Sequence, residues 1–325
     1  MAGTKKGLLD FEKPLIDLYK KIDELNRLSR HGKIDLSSEI QAVEKRIEQQ
    51  RKELFADLTP MQTVSIARHV LRPTTLDLVK HIFTDFLELH GDRCFADDPA
   101  LIGGIAKLEG QSVVIVGHQK GSSTKENIYR RWGMANPDGY RKALRLMQMA
   151  DNFEKPIITF IDTPGAYPGI EGEERSVAEA IARNLREMSQ FEVPIMIVIT
   201  GEGGSGGALG IGVGDKVLML EYSIYSVISP EGCASILYRD ASKAKEAAES
   251  LKITAKDLLE LKVIDEIIKE PIGGAHNNIE QTAKNIKAAL LKNLSGLKQL
   301  SKPELIETRY KKFRSLGIFE ELSPL

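Results

Sequence analysis

Eight of the fourteen residues from Gly201 to Gly214 are glycine, and the stretch follows directly on the apolar run Ile195–Thr200. Glycine at that density after a strand lets the backbone come close to a ligand, and the turn into a helix leaves N–H groups free to meet developing negative charge. A close helix-to-sheet contact that needs small residues would use the same glycines. Three kinds of chemistry compete here. A phosphate-binding loop needs Lys-Ser or Lys-Thr after its last glycine, and neither pair follows any of these glycines. Asp162-Thr-Pro-Gly165 has the form of a GTPase switch, but without a phosphate loop upstream it is a coincidence of four residues. Gly203-Gly-Ser205-Gly-Gly207 has the G-x-S-x-G form of a nucleophile elbow, in the strand-to-helix setting that elbow requires. Its histidine base is the difficulty. Only His276 lies downstream, in a loop-like Gly-Gly-Ala-His-Asn-Asn, whereas His31, His69, His81, His90 and His118 all precede Ser205. That leaves only unrelated triad orders, so a serine hydrolase using Ser205 stands as an alternative.

A second glycine-bearing turn, Asp162-Thr-Pro-Gly-Ala-Tyr-Pro-Gly-Ile-Glu-Gly172, follows the apolar run Ile157–Ile161. Its prolines and glycines make a rigid exposed turn whose amides need partners. Two strands that each end in such a loop could set backbone N–H groups opposite each other around one carbonyl oxygen, an oxyanion hole suited to an enolate. Two unrelated surface turns would give the same pattern. The cations Lys120, Lys125, Arg130 and Arg131 form a stretch that could hold a carboxylate or a phosphate, or lie on a solvated surface.

The elements that must position these loops read as an α/β domain. Buried strands are expected at 101–106, 113–116, 157–161, 195–200 and 217–220, with helices at 140–153 and 173–190 between them. Glycine-punctuated strands begin at Gly91, and the chain before it is mostly helical. Leu18, Ile22, Leu25 and Leu28 form one helical stripe, and Ile40, Val43, Ile47 and Leu54 a second, with a break at His31-Gly32 and a capping box at Ser38 and Gln41. This hairpin must lay its apolar seam on itself, on the body or on another chain. Thr59-Pro60 with Gln62, and Thr74 with Asp77, mark further helix starts. The expected division is 1–89 helical, 90–272 α/β and 273–325 helical. The tail is locally basic, with nine Lys or Arg and four Glu in 281–325, and reads as a solvated helix face.

Composition bounds the rest. The 325 residues are 42% hydrophobic and 28% charged, an ordinary globular balance that excludes disordered and collagen-like classes. The net charge of −1 provides no long-range attraction to nucleic acid or an anionic membrane. Cys94 and Cys233 are isolated, so neither a disulfide framework nor a zinc ribbon is expected, and a reducing cytoplasm is the default location. No apolar run is long enough for export or membrane anchoring.

Six segments in order carry a resemblance: Glu88-Leu-His-Gly-Asp-Arg93, Asp97-Asp-Pro-Ala-Leu-Ile-Gly-Gly104, Gly117-His-Gln-Lys-Gly121, Asn136-Pro-Asp-Gly-Tyr-Arg-Lys-Ala143, Asp162-Thr-Pro-Gly-Ala-Tyr-Pro-Gly169 and Gly201-Glu-Gly-Gly-Ser-Gly-Gly207. Together they resemble the family of carboxyltransferase α subunits of bacterial acetyl-CoA carboxylase, over nearly the whole chain. The resemblance implies a crotonase-like ββα superhelix with helical segments at both ends. It implies carboxyl transfer from carboxybiotin on the biotin carboxyl carrier protein to acetyl-CoA, giving malonyl-CoA in the first committed step of fatty acid biosynthesis. It implies a β subunit carrying a four-cysteine zinc ribbon, in an α2β2 core, and a separate biotin carboxylase that uses ATP. This chain would then bind no cofactor of its own. The resemblance places the biotin carbonyl oxygen on the N–H groups of Gly206 and Gly207, with Gly204 and Ser205 beside it and Gly165, Ala166 and Tyr167 as the facing wall. A side chain at Gly207 is expected to block turnover and spare the fold, because the loop ends a strand. Another biotin-dependent acyl-CoA carboxyltransferase or decarboxylase subunit, or an assembly subunit without chemistry of its own, are the alternatives.

Overall fold

The computed structural model describes residues 7–32 and 35–317. Eight strands form one sheet: β1 (Thr84–Glu88), β2 (Leu101–Leu108), β3 (Gln111–His118), β4 (Ile157–Thr163), β5 (Ile195–Gly204), β6 (Lys216–Leu220), β7 (Ile224–Ser226) and β8 (Glu266–Ile268). Their order is β1-β2-β3-β4-β5-β6-β8, with β7 paired to β5. The first three strands are antiparallel, and β3 to β6 and β8 are parallel. Glu109 and Gly110, both at positive φ, close the β2–β3 hairpin, the backbone that a two-residue turn between twisted strands requires. β5 is long enough to do two things. Its first half pairs with β6 and its last residues, Glu202 to Gly204, pair with β7, so the glycine loop leaves the sheet at a branch.

The five expected strands are present, and their unbroken apolar runs have a simple cause: both faces are covered. Ile157, Ile161, Ile195, Ile197 and Ile199 face one core with Tyr140, Leu146 and Met188. The alternate residues Ile158, Phe160, Met196 and Val198 face a second core with Leu78, Ile82, Ile286 and Leu290. The first core is roofed by the helices Pro137–Asn152 and Val177–Gln190, the second by Thr75–Ile82 and Ile279–Leu297. One helix from before the sheet and one from after it therefore share a face. The sheet begins at Thr84 rather than at Gly91. β1 is a half-exposed, bulged edge strand, so it lacks the apolar run that marks the others.

The N-terminal hairpin is formed by helices Lys13–Gly32 and Ser37–Ala56, which pack on each other. Its base meets the body: Phe55 packs edge-on between Phe11 and Tyr222, with ring centroids 5.6 and 6.1 Å away, and Arg51 donates to the Ile272 carbonyl at 2.6 Å. The expected capping box at Ser38 is absent. The helix starts two residues earlier, with Leu36 as its N-cap, and Asp35 takes the Ser37 N–H at 3.0 Å instead. The boxes at Thr59 with Gln62 and at Thr74 with Asp77 are formed. The basic tail departs furthest from the expected solvated face at Arg309. Arg309, 1% exposed, donates to both oxygens of Asp215 at 2.8 and 2.9 Å and to the carbonyls of Met188, Phe191 and Val193, tying helix Lys302–Arg314 to the entrance of β5.

Candidate active site

Parallel neighbours end on the same side, so β3, β4 and β5 deliver their following loops next to one another. The β4 loop and the β5 loop touch through backbone. A Cβ placed on Gly204 would lie 2.1 Å from the Pro164 carbonyl oxygen, and one on Gly207 would lie 2.3 Å from the Gly165 carbonyl carbon and 2.5 Å from the Ala166 nitrogen. No side chain fits at either position, which is why glycine stands there. Gly206 has room: its nearest neighbour would be Ile181 Cδ1 at 3.6 Å, and a Cβ on Gly165 would meet nothing within 4 Å. The chain turns at Ser205, whose φ of 49° is left-handed, and enters the short helix Ser205–Leu209. Ser205, Gly206 and Gly207 are the first turn of that helix, where N–H groups have no partner inside the helix.

On the facing turn the Gly165 N–H is taken by Thr163 Oγ1 at 3.2 Å, and the Tyr167 N–H by the Ala135 carbonyl at 3.0 Å. The Tyr167 ring lies against the Arg131 guanidinium, 5.7 Å from its centroid. The structure thus brings Gly204, Gly207, Gly165 and Ala166 into one contact, leaves Gly206 half-exposed beside it, and turns Tyr167 toward Arg131. Pro164 and Glu202 line a cavity of about 370 Å³ together with Arg68, Lys120 and Trp132. Ser205 and Leu209 line an apolar one of about 440 Å³ with Tyr225, Val227 and Leu261.

No catalytic triad forms. Among the described residues no histidine is hydrogen-bonded to Ser205. His276 stacks on His69, with ring centroids 3.8 Å apart. His118 is fully buried, and burial, together with the Lys120 charge, outweighs the backbone of Gly207 and Phe160 beside its ring and pushes its pKa down to about 3. Nor, among the described residues, does any group of three or more His, Cys, Asp or Glu side chains come together as a metal site.

Of the cationic stretch expected either to hold an anion or to lie on a solvated surface, Lys120, Arg130 and Arg131 are half-buried in ion pairs. Lys120 sits 2.7 Å from Asp162 and 2.8 Å from Glu202, and Arg68 bridges Glu202 at 2.6 Å and Glu231 at 2.7 Å. Burial opposes the charge on Glu202, but Lys120 and Arg68 outweigh it and hold the carboxyl below its usual range. Burial likewise opposes the Lys120 charge, and the two carboxylates outweigh it and raise its pKa. Arg131 pairs with Asp98, and Arg130 with Glu126 at 3.2 Å, so of the four cations only Lys125 stays exposed without an ion pair among the described residues. This cluster escaped the sequence reading because its members are far apart in the chain. A signal existed: Lys120, Asp162 and Glu202 are each the first charged residue at the end of neighbouring strands. Other motif residues are structural: Asp98 accepts the Asn136 N–H at 2.6 Å, and Asp138 is held by Arg141 at 2.6 Å and Arg175 at 3.2 Å.

The family described as acetyl co-enzyme A carboxylase carboxyltransferase-like matches residues 8–317. The acetyl-coenzyme A carboxylase carboxyl transferase subunit alpha of Geobacter metallireducens is 60% identical over 313 residues, 96% of this chain and 98% of that protein. The subunit of the same name from Thermus thermophilus is 56% identical over 313 residues, covering 96% and 99%. Among solved structures, transcarboxylase 12S superposes with a TM-score of 0.53 at 22% identity, over 67% of this chain and 42% of that one. The Pseudomonas malonate decarboxylase MdcD-MdcE hetero-dimer superposes at 0.52 with 16% identity, over 67% and 89%. These two likenesses establish a shared fold, the crotonase-like one expected from the sequence.

Proposed function

We propose a mechanism from the premise that this chain belongs to the acetyl-coenzyme A carboxylase carboxyltransferase family, as its α-type subunit. Its reaction is the transfer of a carboxyl group from carboxybiotin to acetyl-CoA, forming malonyl-CoA for fatty acid biosynthesis. In our reading the N–H groups of Gly206 and Gly207 receive the ureido oxygen of biotin, with Gly204 and Ser205 lining the approach and the Gly165–Tyr167 turn facing it. The observation that carries this reading is the backbone contact of Gly207 with the Gly165–Ala166 peptide, which holds the two loops as one rigid unit. When the bond from biotin nitrogen to the carboxyl carbon breaks, its electron pair stays on nitrogen and spreads to the ureido oxygen, and carbon dioxide departs. Preorganised amides aimed at that oxygen lower the barrier. The biotin anion then takes the methyl proton of acetyl-CoA, and the enolate attacks carbon dioxide. No side-chain base is needed, in keeping with a site whose carboxylates and lysine are locked in ion pairs.

The partners we assign are a β subunit bearing the zinc ribbon and the second set of amides, the biotin carboxyl carrier protein, and a biotin carboxylase that consumes ATP. The α designation of the relatives supports a β partner. No helix among the described residues is long and apolar enough to cross a membrane, and Cys94 and Cys233 are free thiols, which fits a reducing compartment such as the cytoplasm. The test is malonyl-CoA formation from carboxybiotin and acetyl-CoA with this chain alone, with the β subunit, and with neither. Activity is expected only when both subunits are present.

A further inference from the structure

We propose that Lys120 is a positioning residue for carboxyl transfer: its ammonium ties the β4 loop to the β5 loop and so sets where the Gly206 and Gly207 amides point. The role rests on the oxyanion assignment made above. Lys120 lies two residues beyond β3 with its side chain 15% exposed, and its Nζ is 2.7 Å from Asp162 Oδ1 and 2.8 Å from Glu202 Oε2. Asp162 Oδ1 also accepts the Glu202 N–H at 2.9 Å, and a Cβ on Gly201 would lie 2.3 Å from that same oxygen. One carboxylate oxygen of β4 thus receives the lysine and the backbone of β5 together. Arg68 holds the other oxygen of Glu202 from the far side at 2.6 Å.

Without the lysine, two buried carboxylates on adjacent strands face each other, and Arg68, shared between Glu202 and Glu231, compensates Glu202 but not Asp162. The two facing carboxylates must separate or one must take up a proton, because like charges in a poorly solvated site raise each other's energy. Either response moves the chain just where it matters. Pro164 and Gly165 follow Asp162 by two and three residues, Gly204 and Gly207 follow Glu202 by two and five, and these are the residues in backbone contact. The slack there is less than one carbon atom. A misplacement of the order of 1 Å at a reacting group costs roughly 100-fold in rate.

The test uses the complex with the β subunit and follows carboxyl transfer from malonyl-CoA to free biotin. Lys120→Met is expected to lower kcat roughly 100-fold, with KM for malonyl-CoA unmoved, since the acyl-CoA does not touch these loops in our reading. Lys120→Met/Glu202→Gln removes the cation together with one carboxylate, so the charge conflict disappears but the bridge does not return. That double variant is expected to recover part of the thermal stability lost by Lys120→Met, and its partner binding, while kcat stays low. Recovery of kcat in the double variant would show that Lys120 merely balances charge, and would overturn the proposal. Full turnover by Lys120→Met would overturn it as well, as would failure of both variants to bind the partner, which would make the cluster a support of the fold. Gly206→Val, which leaves the ion cluster untouched, separates the two readings. If it retains full turnover the oxyanion assignment fails, and if it is inactive while Lys120→Met is fully active only the positioning role fails.

Discussion

Two adjacent glycines in the β5 loop behave differently. The sequence reading expected a side chain at Gly207 to spare the fold, but the position is buried and a Cβ there would overlap the Gly165–Ala166 peptide at 2.3 Å, so even Gly207→Ala must push the loops apart. Gly206 has open space, and Gly206→Val keeps its N–H but would stand a branched side chain in the space we assign to biotin, so turnover should fall by an amount comparable to the loss of one oxyanion donor, roughly 100- to 1000-fold. Its melting temperature and binding to the β subunit should stay at wild-type values, and near wild-type turnover would contradict the assignment. Ser205→Ala removes a hydroxyl but no amide, so transfer should fall less than about tenfold, whereas loss of a triad nucleophile costs on the order of a millionfold. Labelling of Ser205 by a fluorophosphonate would reopen the hydrolase reading. His118 makes a prediction about acid. Its folded pKa of about 3 lies below the free value of 6.5, so the unfolded chain binds a proton that the native state refuses between those values. The associated stability is fully present above pH 6.5 and is lost as pH falls toward 3. His118→Leu should flatten the fall of unfolding free energy with acid by up to about 1.4 kcal/mol per pH unit relative to wild type, measured with denaturant from pH 7 downward. Parallel slopes would show that His118 does not titrate in this way.

At the scale of elements, the C-terminal helix is held by a buried ion pair rather than by an apolar stripe. Arg309 makes hydrogen bonds to Asp215 and to three carbonyls around the start of β5. Arg309→Met leaves Asp215 as an uncompensated buried charge and should cost about 3–5 kcal/mol of stability. Arg309→Met/Asp215→Asn should recover part of that loss, and a single variant as stable as wild type would show that the helix end is dispensable. Strands were legible to the degree that both their faces are covered: β4 and β5 stood out as apolar runs, while β7 and β8, three residues each, and the half-exposed β1 did not. The stretch expected as one helix from Glu173 to Gln190 is two, broken at Ser176 by a φ of 64° that no residue type there announces.

For the molecule as a whole, our proposal gives this chain one set of amides, whereas the proposed reaction develops two enolate-like charges. Mixing this chain with the β subunit should therefore give an α2β2 particle by light scattering, and activity should rise with its assembly. Carboxyl transfer by the isolated chain at the rate of the complex would refute the shared site. The N-terminal hairpin, docked at its base through Phe55 and Tyr222 and exposing Leu28 farther out, is the segment on which we place support of that assembly.

The sequence alone determined the alternation of strand and helix, the two glycine loops, the lack of a phosphate-binding lysine and the family, because each is written in local spacing or in ordered motifs. Only the tertiary structure decided which glycines are steric necessities, that Lys120, Asp162, Glu202 and Arg68 form one ion cluster, and that Arg309 is internal. The reason is distance along the chain. Lys120 and Glu202 are 82 residues apart, Arg309 and Asp215 are 94, and no periodicity reports a contact that exists only once parallel strands have been brought side by side.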